Sequence, residues 1–125
     1  MVTLGYALSS EEHEPNKLIA HAQIAERVGF KFLLISDHFH PWVPQQGQSS
    51  FVWSVLGGIA HATQRVRVGT GVTCPIMRIH PALVAQAFRT SCRALERAPH
   101  LQVHDINGAS KVMRKHFPGV TNPSF

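Results

Sequence analysis

Phe32-Leu33-Leu34-Ile35 is apolar at four consecutive positions, whereas a strand with one face in water would alternate apolar and polar residues. The run therefore predicts a parallel strand covered on both faces. Val2 to Leu8, written VTLGYAL, predicts an earlier short strand, and Val66 to Thr73, written VRVGTGVT, a third. Between the strands the apolar period lengthens. Leu18, Ala22, Ala25 and Val28 fall on one stripe with Ile19 beside it, which predicts a helix that begins at Pro15 and stops at Gly29. Phe51 to Thr63 predicts a second helix, weakened in the middle by Gly57-Gly58. Pro81 opens a third, running through Phe88 and on towards Ala98. The order is β-α-β-α-β-α. With right-handed crossovers, it predicts an α/β fold with a parallel sheet whose strands all end at one rim.

That rim is where parallel α/β folds bind substrates, because its loops vary while the strands hold them in place. Two chemically rich segments fall there, SDHFHPW after the second strand and GTGVTCP after the third. Asp37 beside His38 supports two readings: an acid holding an imidazole in one tautomer for acid-base work, or an Asp capping a turn next to a His bonded to a carbonyl. His38 and His40 are spaced so that two imidazoles could share an ion. No second ligand cluster appears at a later strand end, and no metal is expected. Trp42, from its own context, reads as a rim aromatic packed on the top of the sheet, with a stacking wall for a planar ring as the other role. Trp53 reads as core. Gly69-Thr70-Gly71 lacks both the dinucleotide fingerprint and a P-loop lysine, so it is read as a close backbone approach to something flat. His80 reads as a loop residue, and His13, His21 and His61 as surface or helix-face residues.

Composition narrows the class. In 125 residues, 44% are hydrophobic and 15% charged, which predicts one globular domain. No apolar run is long enough to span a bilayer, and the N-terminus has no signal-peptide pattern, so a cytoplasmic protein without a membrane partner is expected. Cys74 and Cys92 lack metal-site or disulfide spacing and are read as free thiols. The net charge of +5 would suggest a nucleic-acid partner if it were spread evenly. It is not. Residues 1–88 carry six Lys or Arg against five acids, and residues 89–125 carry six against two. No nucleic-acid partner is expected.

Together LGYALSSEEHEPNKLIAHAQIAERVGF, LLISDHFHPWVPQQGQSSFVWSVLGGIAHAT, RVRVGTGVTCP and RIHPALVAQAF resemble the luciferase-like monooxygenase superfamily. Within it they look most like the oxidoreductases of the glucose-6-phosphate dehydrogenase type that use the deazaflavin coenzyme F-420. The resemblance covers about residues 3 to 88. It implies the N-terminal three βα units of a (β/α)8 TIM barrel, and hydride transfer between an alcohol or sugar-phosphate carbon and the deazaflavin. It further implies that His38 is the base that removes the hydroxyl proton, that Trp42 stabilises the intermediate over the ring, and that Asp37 lies at the cofactor. The Gly71-Val72 peptide matches the position where the family has a non-proline cis bond behind the ring.

The resemblance stops near Phe88. The family continues to a strand ending in a segment of the form GVGTGE, whose glutamate is the acid, and the residues here match neither it nor the later basic residues for a substrate phosphate. The chain is accordingly divided into residues 1–88, the barrel part, and residues 89–125, a divergent, partly disordered basic tail read as an altered terminus in place of the rest of a truncated barrel. Weak or no activity is expected of the chain alone. Open sheet edges predict a homo-oligomer or an aggregation-prone protein. Two alternatives stand beside this reading: a flavin mononucleotide (FMN)-dependent monooxygenase on the same fold, and a noncatalytic basic module binding nucleic acid through the tail. In the tail, Asn107-Gly108 suggests a hairpin and Lys111 to Lys115 a solvated basic face.

Overall fold

A computed structural model describes residues 2–94. The tail readings at Asn107-Gly108 and Lys111 to Lys115 lie outside the described residues. Three strands, β1 (Gly5–Leu8), β2 (Phe32–Ile35) and β3 (Arg67–Thr70), form one parallel sheet in the order β1-β2-β3. Helix α1 (Pro15–Val28) joins the first pair and α2 (Val52–Ala62) the second, so each crossover is a βαβ unit. After β3 come a four-residue helix α3 (Pro75–Arg78) and the longer α4 (Pro81–Ala94).

Register decides which side chains meet. Tyr6 is aligned with Leu33 and Leu33 with Val68; Leu8 is aligned with Ile35 and Ile35 with Thr70. These residues alternate onto one face, against which the buried Leu18, Ala22 and Ala25 of α1 and Val52, Leu56 and Ile59 of α2 pack. Leu18, Leu33, Ile35 and Ile59 have no exposed surface, and each such side chain stabilises the fold by roughly 2 kcal/mol. The other face holds Ala7, Phe32, Leu34 and Arg67, none of them buried among the described residues. The uniform apolar run of β2 is therefore fully covered on its helix side and partly covered on the other.

Local chemistry sets the boundaries. Pro15 begins α1, and Gly29 ends it at φ 101, a left-handed backbone that a side chain resists; its N–H bonds back to Ala25 and Glu26. Val28, assigned to the stripe, is 68% exposed: the helix turns it away from the core before the cap. Gly5 serves a different need. A Cβ there would lie 2.1 Å from the Phe32 ring, so the missing side chain is what lets that ring lie across β1. All three strands are four residues long. The expected strand from Val2 begins only at Gly5, with Val2 and Leu4 exposed, and the one from Val66 ends at Thr70.

At the N-terminal side of the sheet, Glu26 of α1 accepts three successive backbone N–H groups, from Gln64 at 3.0 Å, Arg65 at 2.5 Å and Val66 at 2.8 Å. This binds the end of the first helix to the approach to β3. Helix α4 continues through Phe88 to Ala94, and α3 was not foreseen.

Candidate active site

The ladder carries the chain past the strand ends in step. Ser36 N–H bonds Leu8 O at 3.1 Å and Gly71 N–H bonds Ile35 O at 2.8 Å, so the segments after β1, β2 and β3 leave at one rim. Asp37 and His38 are neighbours just past the end of β2, and their partners lie on opposite sides. Asp37 turns towards the segment after β3 and His38 towards the segment after β1.

His38 Nδ1 lies 2.5 Å from Oε1 of Glu11, whose side chain is 4% exposed. Ser36 Oγ donates to the same carboxylate at 2.7 Å and Ser9 Oγ at 3.1 Å. Ser10 Oγ donates to the Ser36 carbonyl at 2.7 Å. Burial opposes ionisation of Glu11, but the hydrogen bonds from Ser36, its own amide, His38 and Ser9 outweigh it and hold the carboxyl below its ordinary value. An ionised Glu11 can only accept, so the Nδ1–H of His38 donates a hydrogen bond to it, which leaves Nε2 as the imidazole's lone-pair nitrogen.

Asp37 is buried and fully engaged elsewhere. Thr73 Oγ1 donates to its Oδ2 at 2.7 Å, the Arg78 guanidinium bonds its Oδ1, and a second Arg78 nitrogen reaches the Asp37 carbonyl at 3.3 Å. The reading of Asp37 as the partner of His38 gives way here, since Glu11 occupies that place and Asp37 joins β2 to the segment after β3. Glu11, Thr73 and Arg78 were missed because Thr73 fell at the end of the strand predicted from Val66, and Glu11 and Arg78 carried no motif that set them apart from the other charged residues. The signal lay in topology: β1 and β3 flank β2, so acids and bases just past their ends meet whatever follows Ile35.

Trp42 is 75% exposed and meets the His38 ring edge-on, 5.1 Å between centroids and 82° between planes. It is not packed on the top of the sheet, as its local context suggested. His40 is exposed and bonds the Pro41 carbonyl through Nδ1 at 2.9 Å, so the two imidazoles of HFH do different things. Among the described residues no group of three or more His, Cys, Asp or Glu could hold a metal ion. His80 Nδ1 accepts the Ala82 N–H at 3.2 Å at the start of α4. Cys74 is a free, exposed thiol, and Trp53 is buried as expected; the Cys92 side chain lies outside the described residues.

The Gly71-Val72 peptide is cis, as the resemblance implied. Beside it, a cavity of about 240 Å³ is lined by Val72, Met77, Ile79 and Val84 together with Asp37, His38, Thr73 and Arg78. Apolar side chains with a few hydrogen-bonding groups among them suit a flat heteroaromatic group. His38, Asp37, Gly71 and Val72 thus converge, with Trp42 at the His38 edge.

Comparison with known proteins agrees with this geometry. The model of a family described as luciferase-like monooxygenase matches residues 2–91. An F420-dependent hydroxymycolic acid dehydrogenase of Mycobacterium tuberculosis is 48% identical over 85 residues, 68% of this chain and 24% of that protein. An F420-dependent glucose-6-phosphate dehydrogenase of Segniliparus rotundus is 40% identical over 71% of this chain and 27% of its own. The chain spans about a quarter of the length of these curated relatives. Among solved structures, an F420-dependent secondary alcohol dehydrogenase in complex with an F420-acetone adduct superposes with a TM-score of 0.79 at 33% identity, covering 90% of this chain and 41% of that one. The F420-dependent tetrahydromethanopterin reductase of Methanopyrus kandleri gives 0.67 at 26% identity, covering 94% and 31%. The three βα units described above are a portion of the (β/α)8 barrel of these enzymes. By the match of its residues 2–91, this chain belongs to the luciferase-like monooxygenase family.

Proposed function

We propose that the chain is part of an oxidoreductase that uses the deazaflavin coenzyme F-420 to oxidise the alcohol carbon of a small molecule, a simple alcohol or a sugar phosphate. The observation that carries this reading is the meeting, at one strand rim, of the Glu11–His38 pair, the anchored Asp37 and the cis Gly71-Val72 peptide beside a largely apolar cavity. Relatives at 40–48% identity named as F420-dependent dehydrogenases support it. Val72 and the Gly71-Val72 backbone would back the ring, and Asp37, with its Thr73 and Arg78 contacts, would hold the rim against its edge. When bound, the deazaflavin supplies the carbon that accepts a hydride from the alcohol.

The chain's own residues account for the proton. Because Nδ1 of His38 is committed to Glu11, Nε2 takes the hydroxyl proton, and the ionised Glu11 stabilises the resulting imidazolium. Trp42, edge-on to His38, would stand beside the imidazole that takes the proton. We assign residues 1–88 to this barrel part and residues 89–125 to a separate basic tail. We also assign the protein to the cytoplasm, consistent with the free thiol of Cys74. Among the described residues no helix is long and apolar enough to cross a membrane.

Titration of the chain with coenzyme F-420 and, separately, with FMN tests the reading. Saturable binding of the deazaflavin, weakened about fivefold by Trp42→Ala through loss of an aromatic contact worth roughly 1 kcal/mol, is the expected result. Tighter binding of FMN would transfer the site to the monooxygenase reading. Binding of neither would remove the oxidoreductase proposal.

A further inference from the structure

Trp42 is 75% exposed, so core packing does not fix its ring, and a single edge-on contact with His38 is too weak to hold a solvated indole. Its backbone is held instead. The side-chain oxygen of Gln46 accepts the Trp42 N–H at 2.8 Å and the Val43 N–H at 3.2 Å, and the Gln46 N–H donates to the Val43 carbonyl at 3.1 Å. One side chain thus satisfies two successive amides in a segment with no helix or strand to do so. Gly47, at φ 73, turns the chain back immediately afterwards. The returning strand of the loop is tied to the other half of the site: Gln48 N–H bonds the Glu11 carbonyl at 3.0 Å, and Ser49 Oγ donates to the His38 carbonyl at 2.6 Å.

The loop is therefore closed at both ends on residues of the site, by Ser49 at His38 and by Gln46 at Trp42. We propose that Gln46 is a positioning residue that sets the Trp42 indole against His38, whose ring lines the cavity. What the indole then does rests on the deazaflavin reading above. Gln46 itself touches neither the cavity wall nor His38; it acts through the Trp42 and Val43 amides.

The test uses the full chain labelled with 5-fluorotryptophan, with the Trp42 ¹⁹F resonance assigned by Trp42→Phe. Wild type, Gln46→Leu and Gln46→Glu are compared, together with amide exchange at Trp42 and Val43 and titration with coenzyme F-420. Gln46→Leu is expected to move the Trp42 resonance, leave that of Trp53 in place and speed exchange of both amides about tenfold or more. Gln46→Glu keeps an acceptor oxygen and is expected to restore both signals, which a general loss of stability would not do. Should the Leu variant fail to fold, Gln46→Ala removes the same acceptor without adding bulk. An unchanged resonance and unchanged exchange in a folded Leu or Ala variant would overturn the proposal, whereas a moved resonance with deazaflavin affinity equal to that of wild type would uphold the positioning role and overturn a part for the indole in holding the cofactor. Failure of the wild type to bind deazaflavin, with the Trp42 signals still dependent on Gln46, would remove the functional reading and uphold the positioning role.

Discussion

Glu11 holds the largest share of the polar structure at the rim, with hydroxyls from Ser9 and Ser36 and the imidazole of His38 all directed at one buried carboxylate. Glu11→Ala strands those donors without an acceptor, and a loss of about 1–3 kcal/mol in a urea titration is expected. Glu11→Gln keeps the volume and one oxygen, so a smaller loss is expected of it. The charge has a second consequence. The carboxyls of Glu11 and Glu26 both sit below the ordinary 4.5 in the fold; for each, burial is overcome by hydrogen bonds, and for Glu26 these come from the Arg65, Val66 and Gln64 amides with help from the Arg65 charge. The unfolded chain takes up protons first as the pH falls, so the contribution of both groups is complete above about pH 4.5 and is lost as the pH drops through the folded values. Urea midpoints from pH 6 to pH 3 should fall, and should fall less steeply in Glu11→Gln and Glu26→Gln; equal slopes in all three proteins would count against this account. None of this was legible residue by residue. His38 and Trp42 announce themselves by type, but the partner of His38 lies 27 positions away and only strand adjacency brings it there.

At the scale of elements, apolar periodicity carried far. The bounds of β2 and α1 follow from an unbroken apolar run and from Pro15 and Gly29, because these signals are local. Helix α3 was not legible, since four residues contain too little period to show. The close contact at Gly5 was also hidden: it depends on the β1–β2 register, which places Phe32 directly opposite. Gly5→Ala is expected to cost about 1–3 kcal/mol by overpacking, seen as a lower thermal midpoint. Adding Phe32→Leu should recover part of that loss, while a purely additive double variant would argue against a direct clash.

The molecule as a whole was legible in its order of elements and in the resemblance of its rim segments, and less so in its edges. Among the described residues β1 and β3 each pair with one strand, and Val2, Leu4 and Tyr6 beside β1 carry exposed apolar surface. Unpaired edges with apolar neighbours favour association. Sedimentation velocity is expected to show species that grow with concentration, and a single monomeric boundary throughout would contradict this. The end of the sheet away from the chemistry is built differently. There the Glu26 carboxylate gathers three consecutive amides and fastens the first crossover to the approach to β3. Such a clasp lets the reacting end be rewritten freely: loops after the strands can exchange one substrate preference for another while the spacing of the scaffold beneath them is guarded from below.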